Sequence, residues 1–253
     1  MIFFKYYKWV QFYFLFAVIL LTTSVQAQSI EVVTEEWPPY NYTQQGKVLG
    51  TSTDILREAL ENTGFSYSIR SFPWARAYEM AKTRPNTLIY TIVRTAQREN
   101  TFKWVAEIQP PEPTFLYKKA DNEHVIVTSL EEAKAFAVVA VRSAYTEQKL
   151  KELGFSEDQN LILTGDPFLA TRMLMSGRAD LYAEAASNLP SILEKEKVSE
   201  KGLQPAVFVM ENKFFAAFSL ETDDAIVERL RQEIEKITAR DGTLEPKYSY
   251  IGQ

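Results

Sequence analysis

The 253-residue chain contains no cysteine and a single histidine. Without cysteine there is no disulfide and no lipid anchor on an N-terminal thiol, even in a compartment that would permit either. One histidine removes multi-histidine metal sites and makes any Ser-His-Asp relay depend on His124 alone. His124 stands in the charged run Asp121-Asn122-Glu123-His124 and reads as a solvated loop residue. No metal or cofactor is expected. Positive charge is in deficit as well: 28 Lys and Arg face 33 Asp and Glu, a formal net charge of −5. A net acidic chain is a poor partner for nucleic acid or for an anionic membrane surface.

Long apolar runs are also missing, with one exception. Lys5 and Lys8 precede an apolar stretch from Val10 to Leu21, and Val25-Gln26-Ala27 offers a small-residue cleavage site. The order positive, apolar, small predicts a secretory signal peptide over residues 1–27, cut after Ala27. A membrane-spanning helix wants about 20 apolar residues, and this core is shorter. Loss of Lys5 and Lys8 with the leader takes the net charge from −5 to −7. The remainder suits one large or two small domains.

The rest of the chain alternates short strands with helices. Strands are predicted over 29–34, 65–70, 87–93, 125–128, 137–141, 161–164, 180–183, 207–210 and 214–219. Helices are predicted over 53–62, 73–82, 146–153, 167–176 and 189–197, with the capping-box spacing of Ser129 and Glu132 marking another start. The last helix is the clearest: Ile226, Leu230, Ile234 and Ile237 line one side. This alternation argues an α/β fold with largely parallel sheets. Two such sets, separated near Pro110-Pro111-Glu112-Pro113, suggest two lobes. Ligands bind open α/β sheets at the carboxyl ends of strands, so a cleft between lobes is the expected site.

Five motifs fall in a familiar order: Glu35-Glu36-Trp37-Pro38-Pro39-Tyr40, Gly50-Thr51-Ser52-Thr53-Asp54, Thr95-Ala96-Gln97-Arg98-Glu99, Ser176-Gly177-Arg178-Ala179-Asp180 and Asp241-Gly242-Thr243. Together they resemble the bacterial extracellular solute-binding proteins of family 3, the amino-acid-type binding proteins of ABC importers. Pro73-Trp74-Ala75-Arg76-Ala77 resembles a PWxRA-containing subgroup. The resemblance implies a two-lobed periplasmic binding protein fold of type II, each lobe a mixed, mainly parallel sheet flanked by helices. Lobe 1 would hold residues 28–112 and 213–253, lobe 2 residues 113–212, with hinge crossings near 114–118 and 210–215.

The resemblance places Arg98 on the solute carboxylate, which a guanidinium meets with two parallel hydrogen bonds. For Arg98 the alternative is a surface ion pair with Glu99. Arg94 lies four residues earlier and is a second candidate. Trp37, Tyr40, Tyr42, Trp74 and Tyr90 are candidates for aromatic walls, against the alternative of core packing. Tyr40 follows a Pro-Pro turn at a strand end, and Trp74 begins a helix. Arg76 shares that first turn and could pair with Glu79 instead. Asp180 reads as structural, and Asp54 as a cap or first-turn acid.

The chain departs from the family pattern at three positions. Ala185 stands where an aspartate usually holds the α-ammonium, with Glu184 beside it. A one-residue shift on a strand reverses the face. Val93 replaces the usual hydroxyl residue, and Tyr90 a small serine. The carboxylate half of the site is intact and the ammonium half is not, which implies an anionic or otherwise atypical ligand, or an amino acid held differently. The implied function is capture of a small polar, carboxylate-bearing solute, an amino acid or a related compound, by hinge closure. The implied partner is an inner-membrane ABC permease, the protein being periplasmic, monomeric and not an enzyme. Two other readings stand beside it: a sensing or orphan binding protein, and a periplasmic cyclohexadienyl-dehydratase-like enzyme with Glu184 or Glu36 as its acid or base.

Overall fold

The structure is a computed structural model that describes residues 29–244. The signal peptide expected over residues 1–27 lies outside the described residues. In chain order the elements are β1 (Ile30–Thr34), β2 (Tyr42–Gln44), β3 (Lys47–Leu49), α1 (Thr51–Thr63), β4 (Tyr67–Ser71), α2 (Trp74–Thr83), β5 (Thr87–Val93), β6 (Phe102–Lys119), α3 (Leu130–Ala133), β7 (Val138–Val141), α4 (Tyr145–Glu152), β8 (Leu161–Thr164), α5 (Pro167–Met175), β9 (Leu181–Ala185), α6 (Leu189–Glu196), β10 (Leu203–Ser219) and α7 (Asp224–Arg240).

Eight strands form one hydrogen-bonded sheet in the order β4-β1-β5-β10-β6-β9-β7-β8. The two ends are parallel: β1 pairs with β4 and β5, and β7 with β8 and β9. The middle is antiparallel, made by the long strands β6 and β10, which run side by side from one end of the molecule to the other. Each end has its own packed interior. At one end Ile30, Leu56, Leu60, Leu88, Phe218, Leu230 and Ile234 form a core beneath α1 and α7, with Val33, Ala77, Met80 and Ile92 on the opposite face. At the other end Leu116, Val138, Leu150, Leu181 and Val207 pack on one face, and Tyr117, Val139, Ala170, Leu174 and Tyr182 on the other. Each fully buried Leu or Ile is worth about 1.5–3 kcal/mol of transfer free energy, so either end is a sizeable hydrophobic unit. This is the two-lobed arrangement of a periplasmic binding protein.

The Pro110-Pro111-Glu112-Pro113 segment is no break between elements but the interior of β6. Phe214 sits opposite Gln109 and Asn212 opposite Glu112, so Lys213 alone faces Pro110 and Pro111. That extra residue is a β-bulge, one of the few places where a sheet tolerates prolines that cannot donate. Thr114–Tyr117 already pair with β9 in the second lobe. The 207–210 and 214–219 strands are likewise one strand, β10. The strand expected over 125–128 does not form. Val125 and Val127 are buried and Ile126 is 77% exposed, as alternation predicts. No ladder takes this segment up; the Lys118 ammonium donates to the Val125 carbonyl at 2.6 Å instead. The β2–β3 hairpin was not visible in the pattern.

Gly50 turns β3 into α1 with φ +117°, and a Cβ there would lie 2.4 Å from the Tyr40 carbonyl oxygen. Asp54 is a first-turn acid paired with Arg57 at 3.0 Å. Asp180 Oδ2 accepts the Ala137 N–H at 3.0 Å and ties the start of β9 to that of β7. His124 is exposed.

Candidate functional site

The carboxyl ends of the parallel strands in both lobes meet at one cleft. From the first lobe come Glu35 and Trp37 after β1, Trp74 in the first turn of α2, Thr91 and Val93 at the end of β5, and Arg98 in the following turn. From the second come Val141 at the end of β7, Tyr145 and Thr146 opening α4, Pro167 opening α5, Glu184 near the end of β9, and Asn188 before α6. They enclose a cavity of about 40 Å³. A water needs roughly 10–15 Å³ by this measure, so the chamber is small, with room for a few waters.

Arg98 is 1% exposed. Its Nη1 donates to the Val93 carbonyl and its Nη2 to the Ser143 carbonyl of the other lobe, each at 3.1 Å. The guanidinium lies 5.2 Å from the Trp74 ring and 5.3 Å from the Tyr78 ring. Its Nε has no partner among the described residues. Burial lowers its pKa to about 10, partly offset by Tyr78 and Glu35, so it remains charged at neutral pH. Trp74 Nε1 donates to the same Ser143 carbonyl at 2.8 Å. The φ of +62° at Ser143 places that carbonyl where both lobe-1 side chains reach it.

Thr91 is the extra residue of a bulge in β5: Ile92 sits opposite Phe215 and Tyr90 opposite Ala216, which leaves Thr91 unpaired. Its φ is +58°, a conformation costly for a β-branched residue. Its buried hydroxyl also has no partner among the described residues. Arg98 Nε and Thr91 Oγ1 are therefore two unmet polar groups on one small chamber.

Two carboxylates complete the lining. Glu184 accepts the Tyr182 hydroxyl and, at 2.9 Å, the Ala185 N–H. Burial raises its pKa to about 7 despite those hydrogen bonds. Glu35 is raised to about 8, first by burial, then by Glu184 and Glu36, against the pull of Arg98. Ala185 is fully buried in the first lobe's core, so β9 turns Glu184 to the cavity and not its neighbour.

Among the expected site residues, Arg98, Trp37, Trp74 and Glu184 line the chamber. The other five stand elsewhere. Tyr42 is half-buried on β2, paired with Leu49 in the hairpin. Arg94 is on the surface, ion-paired with Glu99 and lying over Trp104 and Phe215. The ion pair weighed for Arg98 is thus made by Arg94. Tyr90 is buried in the core, its hydroxyl 2.8 Å from Thr53 Oγ1, because β5 is covered on both faces. Arg76 is exposed, stacked 4.6 Å over the Phe72 ring. Tyr40 packs on Phe214 behind the chamber and donates to Glu112 Oε2 at 2.6 Å. Glu112, buried at the β6 bulge, also accepts the Ser187 N–H from the second lobe. Glu35, Thr91 and the Ser143–Tyr145 turn went unread. For Glu35 a signal existed, its place immediately after a strand. For Thr91 there was none, since a bulge leaves no mark in an apolar run.

Among the described residues no cluster could hold a metal ion, and no helix is long and apolar enough to cross a membrane. No curated protein shows a significant sequence match to the chain. Many solved structures share its fold. A histidine kinase sensor domain with similarity to periplasmic binding proteins superposes with a TM-score of 0.75 at 20% identity, covering 87% of this chain and 99% of that one. An ancestral arginine-binding protein bound to arginine gives 0.70 at 17% identity, covering 85% and 94%. The arginine-, lysine- and histidine-binding protein of the thermophilic bacterium Geobacillus stearothermophilus gives 0.70 at 13%, covering 85% and 92%. At these identities the likeness is one of fold. The sequence profile of the bacterial extracellular solute-binding proteins, family 3, matches residues 30–249. The chain belongs to that family.

Proposed function

We propose that this protein captures a small polar solute through a carboxylate held on Arg98, closes its lobes around it in the periplasm, and presents the closed form to an ABC permease. The observation that carries the reading is the buried Arg98, with its Nε unmatched in a chamber lined by both lobes. A solute carboxylate would supply the missing acceptor. The lobes would move about the β6 bulge at 109–113 and the neighbouring part of β10, where paired strands change partners. Contacts that exist only in the closed form give the solute its differential affinity for that form.

The test is a thermal-shift screen of ligand-stripped protein against amino acids, organic acids, polyamines and sugars. A ligand at a hundred times its Kd adds about 2.7 kcal/mol. The hit is then titrated into Arg98→Ala. Truncating one partner of a buried charge pair costs roughly 2–5 kcal/mol, so affinity should fall at least about thirtyfold. Unchanged affinity would remove Arg98 from the site.

A second reading, acid–base catalysis of the cyclohexadienyl-dehydratase kind, draws on Glu35 and Glu184, whose pKa values of about 8 and 7 suit proton transfer. Absorbance of an aromatic product from a cyclohexadienyl acid, lost in Glu184→Gln, would establish it. No product would leave the binding reading alone.

A further inference from the structure

A second cavity, of about 310 Å³, adjoins the Arg98 chamber and shares Glu35, Trp74, Val141 and Pro167 with it. It is lined by both lobes: Glu36, Ser71 and Phe72 on one side, Asp166 and Phe168 on the other. We infer that this outer cavity is a second subsite, which takes the positively charged far end of an elongated solute whose carboxylate sits on Arg98. The inference rests on the Arg98 reading above and adds the class of solute.

The size difference is the first argument. The inner chamber, at about 40 Å³, has room for a head group and little else. Anything longer must pass Glu35 and Trp74 into the larger space. The charge of the outer lining is the second. Its lining holds two carboxylates, Glu36 and Asp166, and no cation, beside a Glu35 that burial keeps protonated to about pH 8. Glu36 is fixed in place: its Oε2 accepts the Thr43 N–H at 2.8 Å, and its Oε1 accepts the Thr43 hydroxyl at 2.6 Å and the Ser71 hydroxyl at 2.5 Å. Burial pushes its carboxyl up, but those hydrogen bonds and Lys195 outweigh it and hold it below the usual range. Asp166 caps α5, its Oδ1 accepting the Leu169 N–H at 2.8 Å. Both are held in position before a solute arrives.

The neighbouring cations sit on the aromatic walls and not in the lining. Lys195 Nζ is 4.0 Å from the centre of the Phe168 ring, and Arg70 and Arg76 lie over Phe72 at 5.4 and 4.6 Å. An aromatic wall beside fixed carboxylates suits an ammonium or a guanidinium. Because the two walls belong to different lobes, a long solute gains contacts on closure that a short one lacks. It would therefore favour the closed form more strongly.

The experiment titrates four probes into the ligand-stripped protein: L-alanine, L-arginine, its neutral-tailed analogue L-citrulline, and the dipeptide Lys-Ala. Arginine or Lys-Ala should bind at least tenfold more tightly than alanine or citrulline. Glu36→Gln and Asp166→Asn should weaken the cationic probes at least tenfold and leave alanine within twofold. Asparagine still caps a helix, so Asp166→Asn preserves α5, and unchanged melting temperatures verify the fold of both variants. Arg98→Ala should abolish binding of every probe. If Arg98→Ala abolishes binding while the Glu36 and Asp166 variants hold the cationic probes as wild type does, the second subsite is gone and the Arg98 reading survives. If Arg98→Ala binds all probes normally, the head-group reading has failed instead. If none of the probes binds the wild type, the solute class is wrong.

Discussion

Trp37 stacks on Tyr145 across the cleft, with ring centroids 6.1 Å apart and ring planes within 9° of parallel. Trp37 follows β1 in the first lobe, and Tyr145 opens α4 in the second. The pair exists only while the lobes are together. Trp37 Nε1 also reaches Ser187 Oγ, at 3.3 Å, and the Tyr145 hydroxyl lies 2.9 Å from Thr114 Oγ1 on β6. Closure is thus built from aromatic area and a few fixed hydrogen bonds around the bridging strands.

Removing the stack should therefore open the molecule. An aromatic pair is worth about 0.5–1.5 kcal/mol beyond its buried area. Tyr145→Ala is expected to shift the ligand-free protein toward an open form, with a larger radius of gyration in small-angle scattering. Trp37 fluorescence should move to longer wavelength as water reaches the ring. An unchanged radius and spectrum would mean that the stack does not hold the lobes.

Thr91 makes a separate prediction. A buried hydroxyl without a partner costs about 1–3 kcal/mol. Thr91→Val keeps the shape and removes the unmet group, so the ligand-free protein should gain on the order of 1 kcal/mol in denaturant unfolding. The same variant should bind its solute more weakly, because Thr91 lines the chamber and its hydroxyl has no partner among the described residues. A destabilised Thr91→Val would show that the hydroxyl finds a partner in the empty protein.

The two cavity carboxylates make the closed protein sensitive to pH. Glu35 and Glu184 hold their protons to about pH 8 and 7, against an ordinary value of 4.5. Between 4.5 and those values the unfolded chain binds fewer protons than the folded one. Stability of the ligand-free protein should then fall as pH rises through that window and level off above pH 8. Melting curves of Glu35→Gln and Glu184→Gln should be flatter over the same range. A wild-type curve that rises there relative to both variants would contradict the assignment.

Asp180 belongs to the scaffold. Its carboxylate accepts the Ala137 N–H where β7 and β9 begin, far along the strands from their cavity ends. Asp180→Ala should lower the melting temperature by a few degrees, the equivalent of about 1 kcal/mol for a lost, partly buried hydrogen bond. Its solute affinity should match that of wild type. A selective loss of affinity with the melting temperature intact would place Asp180 in the site.

Local spacing carried the architecture. The 3.6-residue repeat of Ile226, Leu230, Ile234 and Ile237 and the two-residue alternation after Phe65 are properties of neighbours in the chain, so α1, α2, α5, α7 and most strands could be read directly. The order of motifs carried the family. Arg98 could be singled out among the arginines only through that resemblance, since Arg94, four residues away, has the same chemistry.

What a side chain faces was decided elsewhere. β5 is buried along its whole length, so its pattern could not tell that Tyr90 packs in the core while Thr91, on a bulge, lines the cavity. The turn between Thr95 and Thr101 carries Arg98 inside and leaves Arg94 paired with Glu99 outside. Bringing Glu35 and Glu184, 149 positions apart, into one chamber requires both lobes in place. Sequence period fixes which elements form, because it depends on residues a few bonds apart. Which charges meet depends on how those elements fold over one another, and no local pattern records that.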